Sequence, residues 1–227
     1  MAIESIIQQL VEKTGQVIQP EVSDWTKKYS CIQGGSPECE ILEFLYSLVR
    51  LIKPENILET GTYVGWSAAV MAQAIKENGH GHIETLEIEQ QHIASAKQLW
   101  QTLELTDFII EHQKSSLEFE PTHNYDFLFL DSEPQIRFDE LAKFYPYLNN
   151  SGFIAIHDLH PHLGHSNQTL HDMEHWPFGD FIPKFGNLIL DHQLQTFHFR
   201  TPRGFTLFQK FDNEFGSFKL MVGQWWL

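Results

Sequence analysis

The sequence predicts an α/β fold with a doubly wound, mostly parallel sheet, helices on both faces and an antiparallel C-terminal hairpin. Three observations predict it. Between residues 54 and 156, short apolar runs alternate with amphipathic segments, which is typical of parallel strands joined by crossover helices. Two of the runs, YDFLFL at 125–130 and GFIAI at 152–156, are almost wholly apolar, as expected of strands buried on both faces. Two later runs are joined by Thr-Pro-Arg-Gly, which indicates a hairpin.

The predicted elements follow in order along the chain. Helices are expected at 3–18 and 38–52, where apolar residues recur every three or four positions, with a loop at 22–37 that contains a Gly-Gly pair. The alternation then predicts helices at 66–77, 90–103 and 138–148 and strands at 56–59, 82–86, 108–111, 125–130 and 152–156. The hairpin strands, at 195–200 and 205–210, bring the sheet to seven strands. We divide this single globular unit into an N-terminal helical cap at 1–53 and a main domain at 54–227.

Composition and charge narrow the classes of function. The net charge of −15 argues against a nucleic-acid partner, because neutralising a phosphate backbone requires Lys and Arg. No apolar run approaches the 18 residues of a membrane span. The N-terminal segment carries Glu4 and Glu12 within its apolar pattern, unlike a secretory signal, so we expect a cytoplasmic protein. Cys31 and Cys39 are interpreted as free thiols, with a bridge as the less favoured alternative.

A strand-to-helix turn at 59–67 is the first candidate site. Glu59 ends an apolar run, Gly61 and Gly65 follow, and a helix opens near Ser67. The spacing is G-x-x-x-G, not the G-x-G-x-x-G of dinucleotide sites, and no Gly-Lys-Ser/Thr of a P-loop follows. A carboxylate beside this turn would suit a cofactor with an ammonium or sulfonium group and would repel pyrophosphate. Glu87 ends the next predicted strand, where it could accept both ribose hydroxyls or could simply be a surface residue.

Two further strand ends carry acidic residues and a histidine. Asp131 follows YDFLFL, and His157 and Asp158 follow FIAI. The carboxyl ends of parallel strands meet at one edge of the sheet, so these side chains are expected to converge beside the turn. Two hypotheses remain open. Either a divalent metal, Mg²⁺ or another, is bound by Asp131, Asp158, His157 and His160, or the carboxylates only cap loops or contact the amine of a cofactor, and His157, with an ordinary pKa near 6.5, serves as the base.

Four segments together resemble a known family. LETGTYVGWS, IETLEIEQQHIASAKQLW, YDFLFLDSE and LNNSGFIAIHDLH, which span residues 58 to about 160, are similar to class I S-adenosylmethionine-dependent methyltransferases. The resemblance is strongest to the O-methyltransferase-like branch that includes catechol, caffeoyl-CoA and antibiotic-biosynthesis O-methyltransferases. It implies a Rossmann-like sheet whose last strand is reversed, as the terminal hairpin indicates.

The resemblance also implies a set of residues around S-adenosylmethionine. It assigns Glu59, Gly61 and Gly65 to the methionine part, Glu87 to the ribose, and Ile88 and Ser115 or Ser116 to the adenine. The remaining positions implied to contact the cofactor are Thr60, Thr62, Trp66, Ser67 and Asp131. In metal-dependent relatives, carboxylates at the positions of Asp131 and Asp158 bind the metal. Catalysis is assigned to His157 and Asp131.

The expected function is methyl transfer from S-adenosylmethionine to a small molecule, at a hydroxyl oxygen, with a divalent metal as a candidate assistant. The alternatives are a non-catalytic cofactor-binding protein of the same fold and a nicotinamide-dependent oxidoreductase. Eight of the 13 histidines lie between His157 and His198, and this segment is expected either to shape the substrate pocket with Trp176 and Phe178 or to pack as a surface loop. The N-terminal helix and the terminal residues 225–227 could pair two subunits as a homodimer.

Overall fold

The computed structural model describes residues 5–22, 24, 26–158, 194–199 and 201–211. The N-terminal part holds the helices α1 (Ile6–Thr14) and α2 (Cys39–Ile52) and two short antiparallel strands, β1 (Gln19–Pro20) and β2 (Ser30–Cys31). Ser5 caps α1, since its hydroxyl oxygen accepts a hydrogen bond from the Gln8 N–H at 3.3 Å. The loop prediction at 22–37 is wrong for Ser30–Cys31, because these residues pair with Gln19–Pro20.

The main part follows the predicted alternation. Its elements are β3 (Asn56–Thr60), α3 (Trp66–Asn78), β4 (His82–Glu87), α4 (Gln90–Thr102), β5 (Ile109–Gln113), β6 (Tyr125–Leu130), α5 (Arg137–Phe144), β7 (Leu148–His157), β8 (Leu194–Phe199) and β9 (Phe205–Lys210). The helix predicted at 138–148 ends earlier, at Phe144, in a 3₁₀ turn over Tyr145–Tyr147 that contains Pro146. Proline lacks the N–H that an α-helix needs at such a position. Strand β7 begins at Leu148 and is longer than predicted.

The seven strands form one sheet in the order β5-β4-β3-β6-β7-β9-β8. The first five are parallel, while β9 runs antiparallel to both β7 and β8. This confirms the predicted fold class, including the terminal hairpin. Strands β4 and β5 extend the sheet on one side of β3, and β7, β9 and β8 extend it on the far side of β6. The order therefore reverses between β3 and β6, and a crevice opens at the carboxyl ends of these two strands.

Apolar layers cover both faces of the sheet. On one face of the sheet, strand residues pack against α1, α2, α3 and α4. On the opposite face, strand residues pack against the apolar side of α5. The first half of helix α3 is buried on all sides, with Ala68, Val70 and Met71 fully inaccessible, because it lies between the sheet and α2. Cys31 and Cys39 are buried free thiols. Within the described residues, no helix combines the length and apolarity needed to cross a bilayer.

Candidate functional site

Two glycines fix the turn between β3 and α3. Gly61 has a φ of 82°, and a Cβ at this position would lie 2.3 Å from the backbone oxygen of Asp131. Gly65 has a φ of 85°, and its carbonyl oxygen accepts a hydrogen bond from Trp100 Nε1 at 2.9 Å. Only glycine fits positive φ and such close contacts without strain. The turn is therefore held between the end of β6 and helix α4.

The side chain of Glu59 lies beneath this turn and is fully buried. Its Oε2 accepts a hydrogen bond from the Thr85 hydroxyl, while Oε1 has no hydrogen-bond partner among the described residues. Burial raises the pKa of Glu59 from 4.5 to about 8, and hydrogen bonds from Ser67 and Thr85 only partly offset this. Glu59 is thus mainly a neutral carboxylic acid at pH 7, and its buried Oε1 is available to a hydrogen-bond donor.

Glu87 connects the turn to the end of β4. Its Oε2 accepts a hydrogen bond from the Tyr63 N–H at 2.8 Å, and its Oε1 accepts from the Ile88 and Glu89 N–H groups at 2.9 and 3.0 Å. The backbone therefore fixes the carboxylate at the rim of the crevice, with acceptor capacity left because a carboxylate offers about four positions. The neighbouring Ile88 side chain is 59% exposed, which is high for a large apolar residue.

The remaining predicted cofactor residues divide between the crevice and the layer beneath it. The Thr60 hydroxyl donates a hydrogen bond to Glu140 Oε2 at 3.0 Å, and Ser116 also hydrogen-bonds the buried Glu140 carboxyl. Ser115 begins the turn after β5, since its carbonyl oxygen accepts from two later N–H groups. The crevice at the switch point is lined by Gly35, Ser36, Pro37, Gly61, Thr62, Tyr63, Trp66, Ser67 and Asp131.

His157 lies at the centre of a buried group of charges. Its Nδ1 is 3.0 Å from Asp131 Oδ1, and its Nε2 is 2.7 Å from Glu38 Oε2. Burial alone would lower the pKa of His157, but Asp131 and Asp158 outweigh it and raise the pKa to about 10. The imidazole is therefore protonated at neutral pH, and both ring nitrogens donate to carboxylates.

Two arginines complete this group. Arg137, from the start of α5, is almost fully buried, and its Nη2 lies 3.1 Å from Asp131 Oδ1 and 3.5 Å from Asp158 Oδ2. Arg203, from the hairpin turn, has its Nε 3.3 Å from Asp158 Oδ1. We call Glu38, Asp131, His157, Asp158, Arg137 and Arg203 the charge cluster. Three carboxylates and three cations thus meet beside Gly61.

The predicted metal set converges, but its donor atoms are already engaged. Ligand atoms of Asp131, His157 and Asp158 lie within 4.8 Å of one another. Neither ring nitrogen of His157 is free, however, and the Arg137 guanidinium lies between the two aspartates where a divalent cation would bind. A metal ion would have to displace this guanidinium, so the described residues do not fit a divalent metal here. His160 lies outside the described residues, as do Trp176, Phe178 and the terminal residues 225–227.

Three members of the charge cluster, Glu38, Arg137 and Arg203, were not predicted from sequence. Glu38 precedes α2, 119 residues from His157 along the chain, and no local pattern connects the two. Arg203 was recognised only as part of a turn sequence. Arg137 is a basic residue in an otherwise acidic stretch, SEPQIRFDE, and that contrast is the one hint the sequence offers.

The chain has sequence similarity to known methyltransferases. Residues 58–159 match a family model described as a methyltransferase domain. A mouse protein, catechol O-methyltransferase domain-containing protein 1, is 31% identical over 83 residues, which cover 37% of this chain. The match spans 29% of the length of that relative.

Solved structures share the fold over most of the chain. An SAH-bound methyltransferase of Podospora anserina superposes with a TM-score of 0.63 and 16% identity, covering 92% of this chain and 89% of its own. An O-methyltransferase of Bacillus cereus, in complex with SAH, gives a TM-score of 0.64 and 19% identity, covering 92% of each chain. At these identities the structural similarity establishes only the fold. The sequence match over residues 58–159 is what indicates a methyltransferase domain. The chain therefore has the fold of class I, O-methyltransferase-like enzymes, and residues 58–159 resemble a methyltransferase domain in sequence.

Proposed function

We propose that the chain transfers a methyl group from S-adenosylmethionine to a hydroxyl oxygen of a small molecule. The observation that carries the proposal is the buried Oε1 atom of Glu59, which has no partner among the described residues. A buried polar atom without a partner costs about 1–3 kcal/mol of stability. Such an atom beside a glycine turn therefore favours binding of a ligand that donates a hydrogen bond to it. The ammonium of the cofactor's methionine part is a donor of this kind, and its positive charge would favour the ionised form of Glu59 once bound.

The residues around the crevice fit the other parts of the same cofactor. Gly61 and Gly65 hold the turn against the end of β6 and helix α4 at the edge of the crevice, and Glu87 retains one acceptor position for a ribose hydroxyl. The exposed Ile88 side chain would gain apolar burial against the adenine, next to the turn that begins at Ser115. When bound, the cofactor supplies a methyl group attached to a sulfonium sulfur.

The acceptor is proposed to bind at the carboxylate side of the charge cluster. Asp131 borders the crevice, and Asp158 is the more accessible carboxylate, with its side chain 25% exposed. Burial opposes ionisation of Asp158, but His157, Arg203 and Arg137 together lower its pKa to about 2. A carboxylate of this pKa orients a hydroxyl through a hydrogen bond and does not retain its proton, which passes to water. The main contribution is therefore alignment of the hydroxyl, a factor that can supply several kcal/mol.

His157 is proposed to act through Asp131 as a positioning residue. Its ring is fully buried and both nitrogens donate to carboxylates, so no ring atom is left to accept a substrate proton. The imidazolium instead fixes Asp131 against the turn. Because Arg137 fills the position between the aspartates, the proposed methyl transfer does not use a metal at this site.

Calorimetric titration with S-adenosylhomocysteine and, separately, with NADH tests the cofactor. We expect S-adenosylhomocysteine to bind and NADH not to bind, since the turn has G-x-x-x-G spacing and not the G-x-G-x-x-G of dinucleotide sites. Binding of NADH alone would overturn the proposal in favour of an oxidoreductase. Transfer of labelled methyl from S-adenosylmethionine to a panel of phenols, catechols and sugars then tests the reaction. Binding without transfer to any acceptor would favour the non-catalytic alternative.

A further inference from the structure

Three histidines surround the carboxylate of Glu84, which lies in the first half of strand β4. His82 and Glu84 belong to β4, His112 belongs to β5, and His123 lies just before β6. Strand residues rise by about 3.3 Å each, so Glu84 lies about 10 Å before Glu87 along β4. We call these four residues the histidine cluster. They are separate from the glycine turn and from the charge cluster, which lie at the carboxyl ends of the strands.

The spacing within the histidine cluster matches that of metal ligands. His82 Nε2 and His123 Nε2 lie 4.0 and 3.6 Å from Glu84 Oε1, and the ligand atoms of these three residues all lie within 4.8 Å of one another. His112 Nε2 lies 3.4 Å from the second oxygen, Oε2. A tetrahedral zinc site with bonds of about 2.1 Å separates its ligand atoms by about 3.4 Å. His82, Glu84 and His123 therefore have nearly the separation that one shared cation would impose, and His112 lies beside them at the second oxygen of Glu84.

Two ring nitrogens in this cluster lack hydrogen-bond partners among the described residues. Nε2 of His112 and Nε2 of His123 are buried atoms that make no hydrogen bond to any part of the chain that the structure describes. Each is near a Glu84 oxygen, yet neither contact has hydrogen-bond geometry. Buried polar atoms normally have partners, so two such nitrogens aimed at one carboxylate indicate a ligand between them.

Glu84 is held as a metal-binding carboxylate would be. Its side chain is only 10% exposed, and its Oε2 accepts a hydrogen bond from the Tyr125 hydroxyl at 3.0 Å. An outer hydrogen bond of this kind fixes the orientation of a ligand carboxylate.

We propose that His82, Glu84 and His123 bind a divalent transition metal, Zn²⁺ by preference, with His112 as the fourth ligand. Imidazole and carboxylate donors suit zinc, and four protein ligands make a closed, structural site. The side chain of His112 is 32% exposed, which leaves it room to turn toward the other three. The metal would tie the segment 114–124, which carries Ser115 and Ser116, to strands β4 and β5.

Metal titration of the tag-free, metal-stripped full chain tests this site. Co²⁺ is added first, because its visible absorption reports tetrahedral coordination, and Zn²⁺ is then used to displace it. We expect one tight equivalent in the native protein. We also expect Zn²⁺ at 100 times its Kd to raise the Tm by about 5–10 °C, since binding to the folded state alone stabilises it.

The double variant His82→Ala/His123→Ala is expected to lose this equivalent, with affinity at least about 100-fold weaker and no rise in Tm. His80→Ala is the matched control, because its side chain is similarly exposed, at 37%, and lies outside the cluster. Other histidines of the chain are unchanged in both variants, so the difference reports this site. His123→Gln, with circular dichroism as a check of folding, gives the same test if the double variant does not fold. Equal metal binding by the native protein and a folded cluster variant would overturn the proposal and leave only ion pairs around Glu84.

Discussion

Replacement of Glu59 by glutamine tests whether this buried carboxyl is neutral in the folded protein. Its pKa is raised from 4.5 to about 8, so the folded state binds a proton that the unfolded state releases between these values. Stability contributed by this proton is fully present below pH 4.5 and is lost as the pH rises through about 8. The shift corresponds to about 3–5 kcal/mol. Glutamine has nearly the same shape but no charge, so Glu59→Gln should not show this loss.

The assay is urea denaturation of the cofactor-free protein at several pH values between 4.5 and 9. Relative to the native protein, Glu59→Gln should gain stability steadily from pH 4.5 to pH 8 and then remain constant, with a total gain of about 3–5 kcal/mol. Glu55→Gln is the control, since the Glu55 side chain is 70% exposed and should shift little at any pH. A stability difference between Glu59→Gln and native that stays flat from pH 4.5 to 8 would refute the reasoning, because Glu59 would then be ionised throughout.

Three further predictions concern the turn and the charge cluster. Gly61→Ala should abolish detectable S-adenosylhomocysteine binding in calorimetry, because the added Cβ would lie 2.3 Å from a backbone oxygen. Gly79→Ala is the control, since Gly79 has a similar φ of 81° but open space around it, and this variant should bind normally. Equal binding by both variants would show that the close contact at Gly61 is not needed for the site. Glu87→Ala should weaken that binding by about 1.5–3 kcal/mol while Glu89→Ala does not, and unchanged affinity would take Glu87 out of the site. His157→Gln should destabilise the fold by about 3–5 kcal/mol near pH 6, because two buried carboxylates lose their cation. Since the pKa of His157 rises from 6.5 to about 10, this cost should shrink as urea denaturation is repeated toward pH 10, and a constant cost would mean a neutral imidazole.

The elements that sequence reasoning identified best are those whose pattern is local. Strands such as Tyr125–Leu130 are apolar over a length that fits a buried strand, and the hairpin carries its own turn residues. The convergence of Asp131 and Asp158 also followed from the sequence, because the carboxyl ends of parallel strands must share one edge of the sheet. The helix predicted at 138–148 is too long, because its apolar residues continue to Leu148 whereas the chain around Pro146 forms a 3₁₀ turn.

Sequence alone therefore determined the fold class, the glycine turn and the carboxylates at successive strand ends, because periodicity and strand order depend on neighbouring residues. Only the tertiary structure decided the state of these groups. Glu59 is neutral because burial removes water from its carboxyl, and His157 is charged because Asp131 and Asp158 outweigh the effect of its own burial. Arg137 occupies the position expected of a metal, and three histidines around Glu84 form a candidate site that no local pattern indicated. Desolvation and long-range charge contacts arise only when distant segments pack together, so no stretch of sequence contains them.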